Sequence, residues 1–180
     1  MIKVGLFSLG CPKNLVVSEI MLGLFSLPPF RGTSRMEEAE VITVNTCAFL
    51  EEARRESRAA IRRLASLKNK NCRLLVVAGC LVQYQDASRA RALPEADLLI
   101  ADYHLDDGHN GVDAVARINA RRSTPLPALM LTANYSNELK QQLRDLGPTL
   151  MPKPVRPMKL QTALCPPPEG GAGMAGSRDS

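Results

Sequence analysis

The sequence predicts an α/β fold, a single doubly wound parallel sheet of about five to six strands with helices on both faces. Three observations lead there. Short apolar runs rich in β-branched residues alternate with segments of helical periodicity, the pattern of a parallel sheet covered by helices. The chain has 180 residues and is 45% hydrophobic, enough for one good core. The longest apolar stretches, 74–78, 98–101 and 128–131, are far too short to span a bilayer, so no membrane association is expected.

Taken in order, the strands are expected over 3–8, 41–45, 74–78, 98–101, 128–132 and 149–151. Helices are expected over 15–25, 51–67, about 85–92, 112–121, 137–146 and 158–164, with Gly147 placed as a C-cap for the fifth. Two segments break the rhythm. "SLPPFRGTSRMEE", residues 26–38, carries Pro, Gly and Arg, so any strand there must be an irregular edge. The tail 165–180, "CPPPEGGAGMAGSRDS", has no periodicity and is expected to be disordered. Residues 1–164 are thus expected to form one α/β domain.

Net charge is +5, and basic residues concentrate between Arg54 and Arg73. Such a face attracts nucleic acid in some proteins. Here Ala53, Ala60, Ile61, Leu64 and Leu67 form an apolar helical stripe, so the arginines read as its solvated back. Aromatic residues make up only 4% and Trp is absent, which leaves little for base stacking. Nucleic acid is not an expected partner. The start "MIKVGLFSLG" lacks a signal-peptide layout, and five cysteines are an odd number for a disulfide framework. A reducing, cytoplasmic setting is expected.

The cysteines carry the first chemical signal. In a parallel βα array the C-terminal ends of all strands open on one edge, where ligand sites collect. Cys11 in "SLGCPKN", Cys47 in "VNTCAF" and Cys80 in "VAGCLV" each lie just past such an end. Three converging thiolates suit an iron–sulfur cluster with one iron left open. Zinc with an exogenous fourth ligand is the competing metal. Cys72 precedes its strand, and Cys165 opens the tail; both read as small hydrophobes.

These residues also carry a resemblance. "VGLFSLGCPKNLVVSEIMLGL", "EEAEVITVNTCAFLEEARRES" and "LLVVAGCLVQYQ" with "LPEAD" resemble the N-terminal domain of the radical-SAM methylthiotransferases, especially the ribosomal-protein branch, over about residues 1–97. The resemblance implies an auxiliary [4Fe–4S] cluster held by Cys11, Cys47 and Cys80 that takes part in sulfur insertion, and a ribosomal protein as partner. The CxxxCxxC motif of the family's catalytic core is absent, so the radical chemistry is not expected from this chain alone.

A second resemblance begins near residue 96. "ADLLIADYHLDDGHNGVDAVARI", "PALMLTANYS" and "LGPTLMPKPVRPMKLQTAL" are similar to the later half of a response-regulator receiver domain of the hybrid histidine kinase type, over about 96–164. It implies Asp102 as phospho-acceptor, Thr132 as the hydroxyl that bonds the phosphoryl group, Lys153 as its cation, a cis Lys153–Pro154 bond and a histidine kinase as partner. A strand-end carboxylate is an exposed nucleophile, and a hydroxyl and an ammonium beside it offset the charge that the phosphoryl group brings. Receivers also hold Mg²⁺ with an acidic pair after their first strand. Here the first strand runs into Ser8, Gly10 and Cys11, and the next two end in Asn45 and Gly79. Asp106 and Asp107 read as ordinary loop acids, and His104 and His109 as solvent-facing loop residues. Mg²⁺ binding and phosphotransfer to Asp102 are therefore expected to be weak or absent.

Both parents build doubly wound, flavodoxin-like sheets, so a composite joined near residues 95–98 keeps the pattern, whether it arose by recombination or by engineering. Three functions stand side by side: a composite domain without a complete parental activity, an iron–sulfur protein that works with a partner, and a phosphorylatable module. All six site residues are expected along one edge of one sheet.

Overall fold

Continuous apolar runs such as "LLVVAG" suit a strand buried on both faces, because a parallel sheet is covered by helices on each side. In the computed structural model, which describes residues 1–10, 12–83, 93–103, 110–133, 141 and 148–164, these runs form the centre of one sheet. Its strands are β1 (Ile2–Ser8), β2 (Phe30–Thr33), β3 (Val41–Thr46), β4 (Leu74–Gly79), β5 (Leu98–Asp102), β6 (Ala128–Thr132) and β7 (Thr149–Pro152). The described helices are α1 (Pro12–Phe25), α2 (Glu51–Ala65), α3 (Cys80–Gln83), α4 (Gly111–Asn119) and α5 (Pro157–Leu164). The sheet order is β2-β1-β3-β4-β5-β6-β7, and every pairing is parallel.

The expected count of five to six strands is corrected to seven by β2. Residues 30–33 pair with β1 in register Ile2↔Phe30 to Gly5↔Thr33. Pro28 and Pro29 sit just outside the ladder, where no backbone donor is needed from either, and the Pro29 carbonyl still accepts from Ile2 at 2.9 Å. Phe30 is buried and meets Phe25 edge to face at 5.9 Å, so one aromatic anchors an otherwise polar edge.

Side chains alternate between two cores, as the two-residue period of a strand requires. Ile42, Val44, Leu75, Val77, Leu99 and Met130 face α2 and α4. Val41, Val76, Leu98, Ile100, Leu129 and Met151 face the side on which Phe25 of α1 and Leu160 and Leu164 of α5 pack. α2 begins with Glu51 and Glu52 and ends with Arg62 and Arg63, charges that complement its dipole. Its buried side is Ser57, Ala60, Ile61 and Leu64; the helix then tightens into a 3₁₀ turn, Ser66–Asn69, short of the expected end at 67. On α4, the Asn110 side chain caps the first turn by accepting from the Asp113 amide. α1 is apolar on its outer side too, with Leu15, Val16 and Ile20 exposed.

Residues 93–98, where the two resemblances meet, are tied to the rest of the sheet. Lys68 donates to the Glu95 carbonyl and to Asp97 Oδ1, both at 2.7 Å, while Asp97 Oδ2 accepts from the Leu75 amide at 2.8 Å. β5 then pairs with β4 through Val76↔Leu98, Val77↔Leu99 and Ala78↔Ile100, and with β6 through Leu99↔Ala128 onward. The expected helix at 85–92, almost all of the one at 137–146 with its Gly147 cap, and the tail from residue 165 lie outside the described residues. Among the described residues no helix is long and apolar enough to cross a membrane.

Candidate functional site

β2 lies on one side of β1 and β3 on the other, so the winding direction reverses between β1 and β3. The crevice at the C-terminal ends of such a pair is where doubly wound sheets place ligands. Cys47 follows β3 directly, and Cys80 follows β4 as the first residue of α3. Thr46 and Gly79 are the last register pair of these two strands, so each cysteine comes one residue after a pair that faces its partner. Cys11 lies outside the described residues, between Gly10 and Pro12 in the chain. Among the described residues no three His, Cys, Asp or Glu side chains group as metal ligands.

Two glycines let these segments approach one another. Gly10 has φ +96° and Gly79 has φ +89°, left-handed values that suit glycine. A Cβ on Gly10 would collide with the Cys47 Cβ and lie 2.7 Å from its Sγ. A Cβ on Gly79 would collide with the Thr46 carbonyl oxygen and lie 2.6 Å from Asn45 Oδ1. The residues before Cys11 and before Cys80 are therefore both pressed onto the end of β3. Cys47 and Cys80 are thiol donors, the soft ligand type that iron–sulfur clusters and thiophilic metals take.

Buried polar groups hold this edge. Ser57 of α2 donates to the Cys47 carbonyl at 2.8 Å and accepts from the Cys47 amide at 3.1 Å. Thr46 Oγ1 donates to the Ala78 carbonyl at 2.6 Å and accepts from the Leu81 amide at 3.2 Å. Asn45 Nδ2 donates to the Asn14 carbonyl at 3.2 Å and to Ser18 Oγ at 3.0 Å. Asn14 Nδ2 donates to the carbonyls of Leu9 and Thr46. Sequence reasoning did not single out Asn14, Asn45, Thr46 or Ser57. A visible signal was the dipeptide Gly-Cys, which occurs at 10–11 and again at 79–80.

Cys47 is buried and Cys80 exposed. Cys72 is buried before β4, at the opposite edge, and burial pushes its thiol pKa up, which keeps the thiolate fraction low. Alkylation of the native chain is expected to modify Cys80 well before Cys72, read by peptide mass spectrometry. Equal rates would contradict the burial of Cys72.

Farther along the same edge stand the receiver-type residues. Asp102 ends β5, Thr132 ends β6, and Lys153 follows β7. The ladder continues past them, with Tyr103 donating to the Leu131 carbonyl and Lys153 to the Thr132 carbonyl, both at 2.8 Å. Lys153 Nζ lies 2.6 Å from Asp102 Oδ1, with both side chains nearly half exposed. Thr132 is buried. The Lys153–Pro154 bond is cis, and so is Pro28–Pro29. The strand beside β5 is β4, which ends in Gly79 and is followed by Cys80, neither of them an acid. Asp106, Asp107, His104 and His109 lie outside the described residues.

Comparison with known proteins bears on the first half of the chain above all. The chain is 49% identical over 116 residues to the ribosomal protein uS12 methylthiotransferase RimO of Acetivibrio thermocellus, covering 64% of this chain and 24% of that protein. It is 52% identical over 99 residues to the enzyme of the same name from Trichlorobacter lovleyi, covering 54% and 22%. The chain thus spans about a quarter of the length of the curated relatives it matches. Among solved structures, it is similar to chemotaxis protein CheY4 of Vibrio cholerae, with a TM-score of 0.39 and 20% identity over 91% of this chain and 96% of that one. A CheY-like response regulator receiver domain protein from Methanospirillum hungatei gives 0.40 and 15%, over 91% and 90%. The model of the Uncharacterized protein family UPF0004 matches residues 3–101, more than half of the chain, and the chain belongs to that family.

Proposed function

We propose that the chain is a composite α/β domain that binds a [4Fe–4S] cluster through Cys11, Cys47 and Cys80, and that performs neither a whole methylthiotransferase reaction nor a whole phosphorelay step alone. The observation that carries this reading is the pair of left-handed glycines, Gly10 and Gly79, that bring two cysteine-bearing segments onto the end of β3. A cluster held by three thiolates offers one iron to an external ligand, such as a sulfur species. The chain's own residues would orient the thiolates: Ser57 fixes the Cys47 backbone, and Thr46 fixes the backbone on both sides of Gly79 and Cys80. No CxxxCxxC motif lies within these 180 residues, so a radical step would draw on residues outside them. The names of the relatives point to a ribosomal protein as the substrate of such an assembly. The composite join lies near residues 95–98, where β5 pairs with one strand from each half.

Anaerobic reconstitution followed by iron and sulfide analysis tests the site. About four irons and four sulfides per chain are expected, with loss of the cluster in Cys47→Ala. No cluster, or one that survives Cys47→Ala, overturns the reading.

A second reading rests on the 2.6 Å pair between Asp102 and Lys153 beside Thr132. It makes Asp102 a phospho-acceptor served by a histidine kinase. The place of the magnesium acids is taken by the end of β4, so any response is expected to be weak. Beryllofluoride with Mg²⁺ is expected to move few amide resonances, and only with Asp102 intact. If Asp102→Asn responds identically, phosphotransfer at Asp102 is excluded.

A further inference from the structure

We infer that Asn14 is a positioning residue for the three-cysteine site, clamping the segment that leads to Cys11 onto the segment that leads to Cys47; the inference rests on the iron–sulfur reading above. Asn14 sits in the first turn of α1 and is only 5% exposed. Its amide nitrogen has two hydrogens, and both are used on strand-end carbonyls, Leu9 at 2.6 Å and Thr46 at 2.9 Å. Leu9 precedes Gly10 and Cys11, and Thr46 precedes Cys47.

The β1–β3 ladder closes with the Leu9 amide donating to the Asn45 carbonyl at 2.9 Å. Past that bond Asn14 adds a side-chain cross-link between the two segments. It acts at the point where Gly10 brings the backbone against the Cys47 side chain. The Asn14 carbonyl is held in turn by Asn45 Nδ2 at 3.2 Å, so the two asparagines lock each other.

The chemistry of the side chain is specific. An aspartate of the same shape would turn two donors into acceptors facing two carbonyls, and a leucine would remove both side-chain bonds from a buried site. Thr46 is shared with the Cys80 side through its hydroxyl, so Asn14 also couples the Cys11 segment to a residue that holds the junction of β4 and α3 around Cys80. Groups that orient metal ligands from one shell out commonly change metal affinity by about 10- to 100-fold when removed.

The test uses the full chain, reconstituted anaerobically, in wild-type, Asn14→Asp, Asn14→Ser, Cys47→Ala and Leu99→Ala forms. Iron release to a ferrous chelator is followed, together with the electron paramagnetic resonance spectrum of the reduced cluster. Asn14→Asp is expected to release iron about 10- to 100-fold faster than wild type, and with a changed spectrum. Leu99→Ala, which weakens the core away from the cysteines, is expected to keep the wild-type spectrum and to release iron more slowly than Asn14→Asp. Asn14→Ser, which keeps a single donor, is expected between wild type and Asn14→Asp, and serves alone should Asn14→Asp fail to fold. Wild-type release and spectrum in the Asn14 variants, with a cluster that depends on Cys47, overturns the clamp and leaves the iron–sulfur reading standing. A wild-type chain that takes up no cluster overturns both.

Discussion

Gly79→Ala is expected to lower the melting temperature on the order of 10 °C, counting 2–4 °C per kcal/mol for a chain of this size. The residue combines two demands that alanine cannot meet. Its φ of +89° costs a side-chain-bearing residue roughly 1–3 kcal/mol. The added Cβ would also strike the Thr46 carbonyl and approach its amide nitrogen at 2.9 Å. Both are backbone atoms of a central strand that cannot swing aside, which adds about 1–3 kcal/mol of overpacking. Gly23 is the control, because a Cβ there meets nothing within 4 Å and the residue lies inside α1. Gly23→Ala is expected to be neutral or to stabilise by roughly 0.5–1 kcal/mol. Indistinguishable melting temperatures for the two variants would show that the end of β3 yields where the packing says it does not. Gly79→Ala should also shift Cys80, which follows it, so on the proposed iron–sulfur reading cluster loading is expected to fall along with stability.

Leu99→Ala is expected to destabilise the two halves of the chain together, by about 2–5 kcal/mol. Leu99 is fully buried, and its register partners are Val77 of β4 and Ala128 of β6. It packs in the same core as Ile42 and Ile61 of the first half and Val115 and Met130 of the second. Chemical denaturation followed by far-ultraviolet circular dichroism should show one transition moved to lower denaturant with its slope kept. Two separated transitions, only one of them moved, would mean that the halves fold as independent units despite sharing a sheet.

Much of the fold was legible in the sequence, and the reason differs by element. The runs "VITVNT" and "LLVVAG" read as buried strands because both faces are covered and nearly every side chain is apolar or small. The apolar stripe of α2 read as helix because Ala60, Ile61 and Leu64 recur at helical spacing. β2 was the weakest signal. A four-residue edge with Arg31 and Gly32 exposed makes its stability from Phe30 and from pairing with β1, and neither is visible in its own composition.

The candidate site divides in the same way. The placing of cysteines just after strand ends follows from sequence position, since every parallel strand ends on one edge, whereas the aspartate, threonine and lysine of the later strands come from the resemblance to a receiver domain. What holds them does not follow. Asn14, Asn45 and Ser57 have nothing in their neighbours to mark them, because Asn14 and Asn45 bond each other's segments from 31 to 32 residues away and Ser57 reaches Cys47 from 10, and those meetings are chosen by which elements adjoin. The Asp102–Lys153 ion pair likewise depends on β6 lying between β5 and β7.

The sequence by itself determined the class of fold and the order of every described strand except β2, because hydrophobic period is a local property. Only the tertiary structure decided that the winding reverses between β1 and β3, that Gly10 and Gly79 are both pressed onto the end of β3, and that one asparagine bridges two strand ends. Those are contacts between distant segments, and their energy lies in close approach and in the pairing of buried polar groups, neither of which a stretch of sequence carries alone.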